Sequence, residues 1–95
     1  EYIELTPNYG ISRFRVPERF DGTTLEELGF SSPRDSYGLT PIALCRKRKV
    51  TLNPDLNFKL KSSDFVIVAA HDSDLESLDS VSELIDQENN IKSDN

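Results

Sequence analysis

The sequence predicts an α+β domain: a small, mostly antiparallel sheet of four to five strands, containing two hairpins, with two helices packed on it. Three observations lead there. Apolar segments recur at short spacing (Ile11 to Val16, Leu39 to Cys45, Phe65 to Ala70), each bounded by turn residues, as strands are. Two other stretches open on a Ser/Thr-x-x-Glu pattern, near Thr23 and at Ser73, which marks helix starts. With 95 residues, 36% of them apolar, the chain can build one modest core.

Glu1 to Leu5 alternates polar and apolar residues, which suits an edge strand or a linker strand from a preceding domain. Thr6-Pro7-Asn8-Tyr9-Gly10 is a turn, since Pro7 presets φ and Asn8 and Gly10 tolerate left-handed geometry. In Ile11 to Val16 the alternation sends Phe14 and Val16 to the core and Arg13 and Arg15 to water. After Asp21-Gly22, the run Thr23-Thr24-Leu25-Glu26-Glu27-Leu28 predicts a short helix. Its capping box is Thr23 with Glu26 or, one residue on, Thr24 with Glu27, and Gly29 stops it.

Leu39 to Cys45 is a central strand, with Pro41 at its start or at a position whose N–H goes unused. Arg46-Lys47-Arg48-Lys49 reads as a solvated hairpin turn, and Val50-Thr51-Leu52 returns before Asn53-Pro54-Asp55 breaks the strand. Leu56, Phe58 and Leu60 alternate with polar residues, and Ser62-Ser63-Asp64 turns the chain. There the Asp64 carboxylate accepts backbone N–H bonds, a structural role. Phe65 to Ala70 is apolar on both faces, so it is expected to be the most buried strand. A second helix is predicted from Ser73 to Ile85, capped by Ser73 with Glu76 and striped by Leu75, Leu78 and Ile85.

Composition narrows the function. Methionine is absent, position 1 included, so a piece of a longer protein is expected. The net charge of −6 is concentrated at one end: residues 72–95 hold eight acids and one lysine, and the rest is nearly balanced. That disfavours general nucleic-acid binding, which needs a broad basic surface. The lone Cys45 can form no internal disulfide and reads as a small buried hydrophobe. No apolar run reaches the about 20 residues of a membrane span. The single His71 has no second histidine or cysteine with which to build a metal or catalytic pair. Helix capping accounts for Asp72, Asp74 and Glu76, which lack the glycine and spacing of a calcium loop. No nucleophile–base pair is visible, so no enzyme is predicted.

The span Val16 to Leu78 resembles the TrkA-C domain, the C-terminal ligand-sensing domain of RCK/KTN regulators of potassium channels and transporters. Gly22-Thr23-Thr24-Leu25-Glu26-Glu27-Leu28 is similar to that family's helix entry. Tyr37-Gly38-Leu39-Thr40-Pro41-Ile42-Ala43-Leu44-Cys45-Arg46 is similar to its Tyr-Gly strand. Asn53-Pro54-Asp55 and Asp64-Phe65-Val66-Ile67-Val68 follow in the family's order. The sequence departs from the pattern at Ser63 and Ala70, where glycine is usual, and in the longer link Ser31 to Ser36.

The resemblance implies a cytosolic regulatory domain over residues 11–86, with 1–10 a linker or extra edge strand and 87–95 a disordered acidic tail. It implies a homodimer attached to or associated with a membrane transport protein, with a small ligand, in some members a cyclic dinucleotide, held at the dimer interface. Phe30, Arg34, Thr40 and Pro54 match that pocket: an aromatic wall suits a purine and a guanidinium suits its phosphates. Two other readings stay open. The same domain could serve an anion or dicarboxylate transporter or an antiporter, or it could be a plain dimerisation module without ligand.

Overall fold

The structure, a computed structural model, describes residues 2–30 and 38–78. Five strands form one antiparallel sheet: β1 (Tyr2–Thr6), β2 (Tyr9–Arg15), β3 (Thr40–Arg46), β4 (Lys49–Leu52) and β5 (Phe65–His71). Their order across the sheet is β1-β2-β5-β3-β4. The two sequence hairpins, β1–β2 and β3–β4, are both present, and β5 enters between them to pair with β2 and β3. Asn8 closes the first turn at φ 89 and Lys47 the second at φ 56.

Alternation decides the faces. Phe14, Val66, Val68 and Leu44 point to one side and are buried, and Leu25, Leu60, Leu75 and Leu78 cover them from outside the sheet. β5 is central as expected, but it is buried on one face only. Val66, Val68 and Ala70 are buried while Phe65, Ile67, Ala69 and His71 are half-exposed. Pro41 sits second in β3, at an irregularity between Pro41 and Ala43, where a missing N–H costs least. Cys45 is half-buried on the far face rather than in the core.

The first predicted helix is not formed; one α-helix, residues 72–78, is present among the described residues, beside a single 3-10 turn at Glu18–Phe20. Residues 25–29 make a single hydrogen-bonded turn, closed by the Leu28 and Gly29 N–H groups donating to the Leu25 and Glu26 carbonyls at 3.1 and 3.0 Å. The capping box is real and takes the Thr24 register: Glu27 N–H donates to Thr24 Oγ1 at 3.2 Å and Thr24 N–H to Glu27 Oε1 at 3.1 Å. A helix this short needs its neighbours to hold it. Here the chain prefers ties to residues 56–60, with Leu25 and Glu26 N–H donating to the Phe58 and Leu56 carbonyls. Likewise Leu56, Phe58 and Leu60 alternate in burial without forming a strand, joined to the rest by the Thr24–Lys59 bridge.

The helix 72–78, α1, starts differently from its predicted box. Ser73 N–H donates to His71 Nδ1 at 3.1 Å, so the imidazole of the last strand residue caps the helix that follows. At the sheet's outer edge the Tyr2 ring lies on Gly10, where a Cβ would fall 2.3 Å from the ring. Its hydroxyl donates to Asp72 at the start of α1. That hydrogen bond and the neighbouring carboxylate push the Tyr2 phenol up to about 12, fastening edge strand β1 to the body.

Candidate functional site

Three surfaces could carry function: a cavity at the β3 start, the uncovered sheet face, and a basic cleft at the β3 end. The cavity, about 190 Å³, is lined by Phe20, Leu28, Gly29, Gly38, Leu39 and α1 residues including Asp74. Of the ligand residues implied by the resemblance, none of Phe30, Thr40 and Pro54 lines it. Phe30 is buried in the core, 3% exposed, and bridges Leu39 in parallel. Thr40 follows Leu39 and pairs with Ala69 on the face away from the core. Pro54 is buried, and the preceding Asn53 N–H donates to the Ile42 carbonyl at 2.8 Å. Arg34 lies outside the described residues, as do the Ser31 to Ser36 link, the predicted helix beyond residue 78 and the tail 87–95.

The far sheet face is largely apolar, and among the described residues nothing covers it. Ile3, Ile11, Ala69 and Thr40 register across one row. Ile67, Ala43 and Leu52 form the next, and Phe65, Cys45 and Val50 the third. Ile3, Val50 and Leu52 are 62%, 61% and 75% exposed, far more than scattered surface hydrophobes require. Arg13 and Arg15 register with Ile67 and Phe65 on this face, and Arg13 stacks on the Phe65 ring at 3.7 Å, so two cations stand among its apolar rows.

At the opposite end of β3 the sequence reading missed an ion pair. Arg46 is not a solvated turn residue. Its Nε and Nη2 donate to both Asp64 oxygens at 2.8 to 3.2 Å, and Nη2 also reaches the Lys59 carbonyl at 3.0 Å. Asp64, 2% exposed, accepts a further bond from Lys61 N–H at 2.9 Å. Burial pushes its carboxyl up, but the guanidinium and the backbone N–H outweigh it, so the group titrates below the usual carboxylate range. The expected backbone-accepting role of Asp64 thus holds, with Arg46 added. The pairing is tertiary: Cys45 registers with Phe65, which places Arg46 and Asp64 side by side.

Ser63, where the family pattern has glycine, adopts a left-handed φ of 72°. A left-handed residue other than glycine costs about 1 kcal/mol, and glycine's own chain entropy returns part of that. Ser63→Gly is therefore expected to raise stability by about 0.5 kcal/mol, read as a small increase in thermal midpoint. A decrease would show that the Ser63 hydroxyl contact with Arg15, at 3.4 Å, matters more than the backbone.

Among the described residues no three His, Cys, Asp or Glu side chains cluster to hold a metal ion, and no helix is long and apolar enough to cross a membrane. No family model matches the chain, and no curated protein matches it by sequence. Among solved structures it is similar to the C domain of the regulator of conductance of potassium (RCK) of the potassium transport protein KtrA, solved in complex with cyclic diadenosine monophosphate. The identity is 26%, the TM-score 0.64, and the match covers 80% of this chain and 86% of that one. The chain therefore has a TrkA-C/RCK C-like fold, in agreement with the ordered motifs of its sequence.

Proposed function

We propose that this TrkA-C-like chain is a cytosolic regulatory domain without catalytic activity, which dimerises, senses a small nucleotide and tunes a potassium channel or transporter. The observation that carries the reading is the likeness to the KtrA RCK C domain, which spans most of both chains. The largely apolar sheet face that the described residues leave open supports the dimer. In plan it measures roughly 20 Å by 20 Å, from strand spacing and rise, about half of the about 800 Å² that each partner of a standard interface buries. Thr40 stands on that face. A two-fold dimer presents each half-site twice, and cyclic diadenosine monophosphate is itself two-fold symmetric. One adenylate per protomer is the natural fit.

A ligand that binds one arrangement of the two protomers better than the other biases whatever the domain is attached to. Calorimetric titration with cyclic diadenosine monophosphate tests the reading directly, with ATP as the comparator. Saturable binding at one ligand per two chains, weakened by Thr40→Lys, is the expected result. No heat with either nucleotide at millimolar concentration, from a chain that sediments as a dimer, would leave dimerisation without sensing. That outcome would discard the sensor reading.

A further inference from the structure

The β3–β4 turn and the turn at residues 61–64 face each other across a cleft of about 730 Å³. We propose that this cleft binds a small, soluble, phosphate-bearing molecule at a site separate from the β3 start. Five cationic side chains line it: Arg46, Lys47, Arg48 and Lys49 from one wall and Lys61 from the other. The single lining acid, Asp64, is taken up by Arg46 and by Lys61 N–H. The nearby Asp21 carboxylate is engaged by Ser62 N–H at 2.8 Å. A positive surplus therefore stands in one concavity of a chain whose net charge is −6. A hairpin turn that merely keeps an edge soluble needs no facing wall. This one has a wall, and that wall carries a further lysine and two serines.

The cleft is also held in shape before anything binds. Val16 N–H donates to the Asp64 carbonyl at 2.8 Å, Ser63 N–H to the Val16 carbonyl at 2.9 Å, and Asp64 N–H to the Lys61 carbonyl at 3.0 Å. Arg46 then ties β3 to that turn through Asp64. Preset walls reduce the ordering cost of binding. The volume lies within the range of small-molecule sites. Several lysines at one point favour a multiply charged anion, and the Ser62 and Ser63 hydroxyls add donors suited to phosphoryl oxygens. A singly charged carboxylate would leave most of these cations unused. From Thr40 to Arg46, six residue steps place this cleft about 20 Å from the proposed dimer-interface site.

The test is an amide-resolved NMR titration of the intact chain with inorganic pyrophosphate at about 0.15 M ionic strength, where bare surface attraction is screened. Saturable shifts confined to residues 47–49 and 61–63 are expected, with affinity at least tenfold weaker in Arg48→Gln/Lys61→Gln. Unchanged spectra elsewhere would show that the variant keeps its fold. ATP displacing pyrophosphate from the same amides supports a free metabolite as the natural ligand. Linear shifts, equal shifts at Arg13 and Arg15, or full affinity in the double variant would each overturn the proposal. So would sedimentation with vesicles containing one-fifth phosphatidylserine when pyrophosphate gives no shifts. Failure here leaves the dimer-interface reading untouched, because a ligand at Thr40 moves a different set of amides.

Discussion

Arg46→Met is expected to destabilise the domain by about 3–5 kcal/mol at neutral pH, because it strands a buried carboxylate without its counter-charge. Asp64 is 2% exposed and receives both arms of the Arg46 fork. Among the described residues Arg46 is the one charged side chain that hydrogen-bonds it, and Lys61 gives it a backbone N–H. Small domains hold about 5–15 kcal/mol in total, so the loss takes a large share of the whole. Asp64→Asn keeps the shape, removes the stranded charge and is expected to cost less, about 1–3 kcal/mol. Urea unfolding of the three proteins at pH 7 measures both differences.

The pH dependence separates an ion pair from mere packing. In the native chain the Asp64 carboxyl titrates below its ordinary value. Its contribution is therefore complete above the unfolded value near 4 and disappears as pH falls through the lowered folded value. Without Arg46, burial acts against only the Lys61 backbone bond and the Lys61 charge, and the carboxyl is pushed up. The methionine variant therefore regains stability on acidification, as the carboxyl takes up its proton. The gap between the native chain and Arg46→Met should be widest near neutrality and shrink toward pH 4. A gap that stays constant over that range would sink the ion-pair account.

Why the sequence revealed the sheet better than the site follows from which interactions are local. Phe14 and Val16 fall on the core side because alternation along one strand is enough to decide it, and their burial agrees. The box at Thr24 and Glu27 is also local, and it forms as a pair of reciprocal bonds. Whether a helix follows that box is not local. The answer depends on carbonyls at Leu56 and Phe58 that compete for the Leu25 and Glu26 N–H groups. His71 is similar: its ring caps α1, a role that a Ser-x-x-Glu search cannot see. Arg46 looked like one of four equivalent cations. Only the placement of β5 beside β3 gives it a buried acid and leaves its neighbours to line a cleft. The ordered motifs identified a TrkA-C-like scaffold because they sample several turns and strand ends at once, and the structural likeness agrees with them.

The second large effect concerns association. Val50→Glu/Leu52→Glu is expected to raise the dimer dissociation constant at least 100-fold while leaving the monomer's stability nearly unchanged. Both side chains are more than half exposed on β4, and substitutions at exposed positions shift folding by about 0.5 kcal/mol or less. In a two-fold interface each substitution is present twice, so four carboxylates would have to lose water against apolar partners. A 100-fold change needs about 2.7 kcal/mol, well below the cost of that desolvation. Sedimentation velocity across a concentration series reads the constant, and thermal unfolding at the lowest concentration reads the monomer. An edge-to-edge dimer, with β4 pairing to its copy through backbone groups, predicts otherwise. Outward carboxylates there would weaken association only modestly, whereas a proline at Thr51 would abolish it. A native-like dissociation constant in the double glutamate variant, together with dimer loss on Thr51→Pro, would move the interface from the sheet face to its edge.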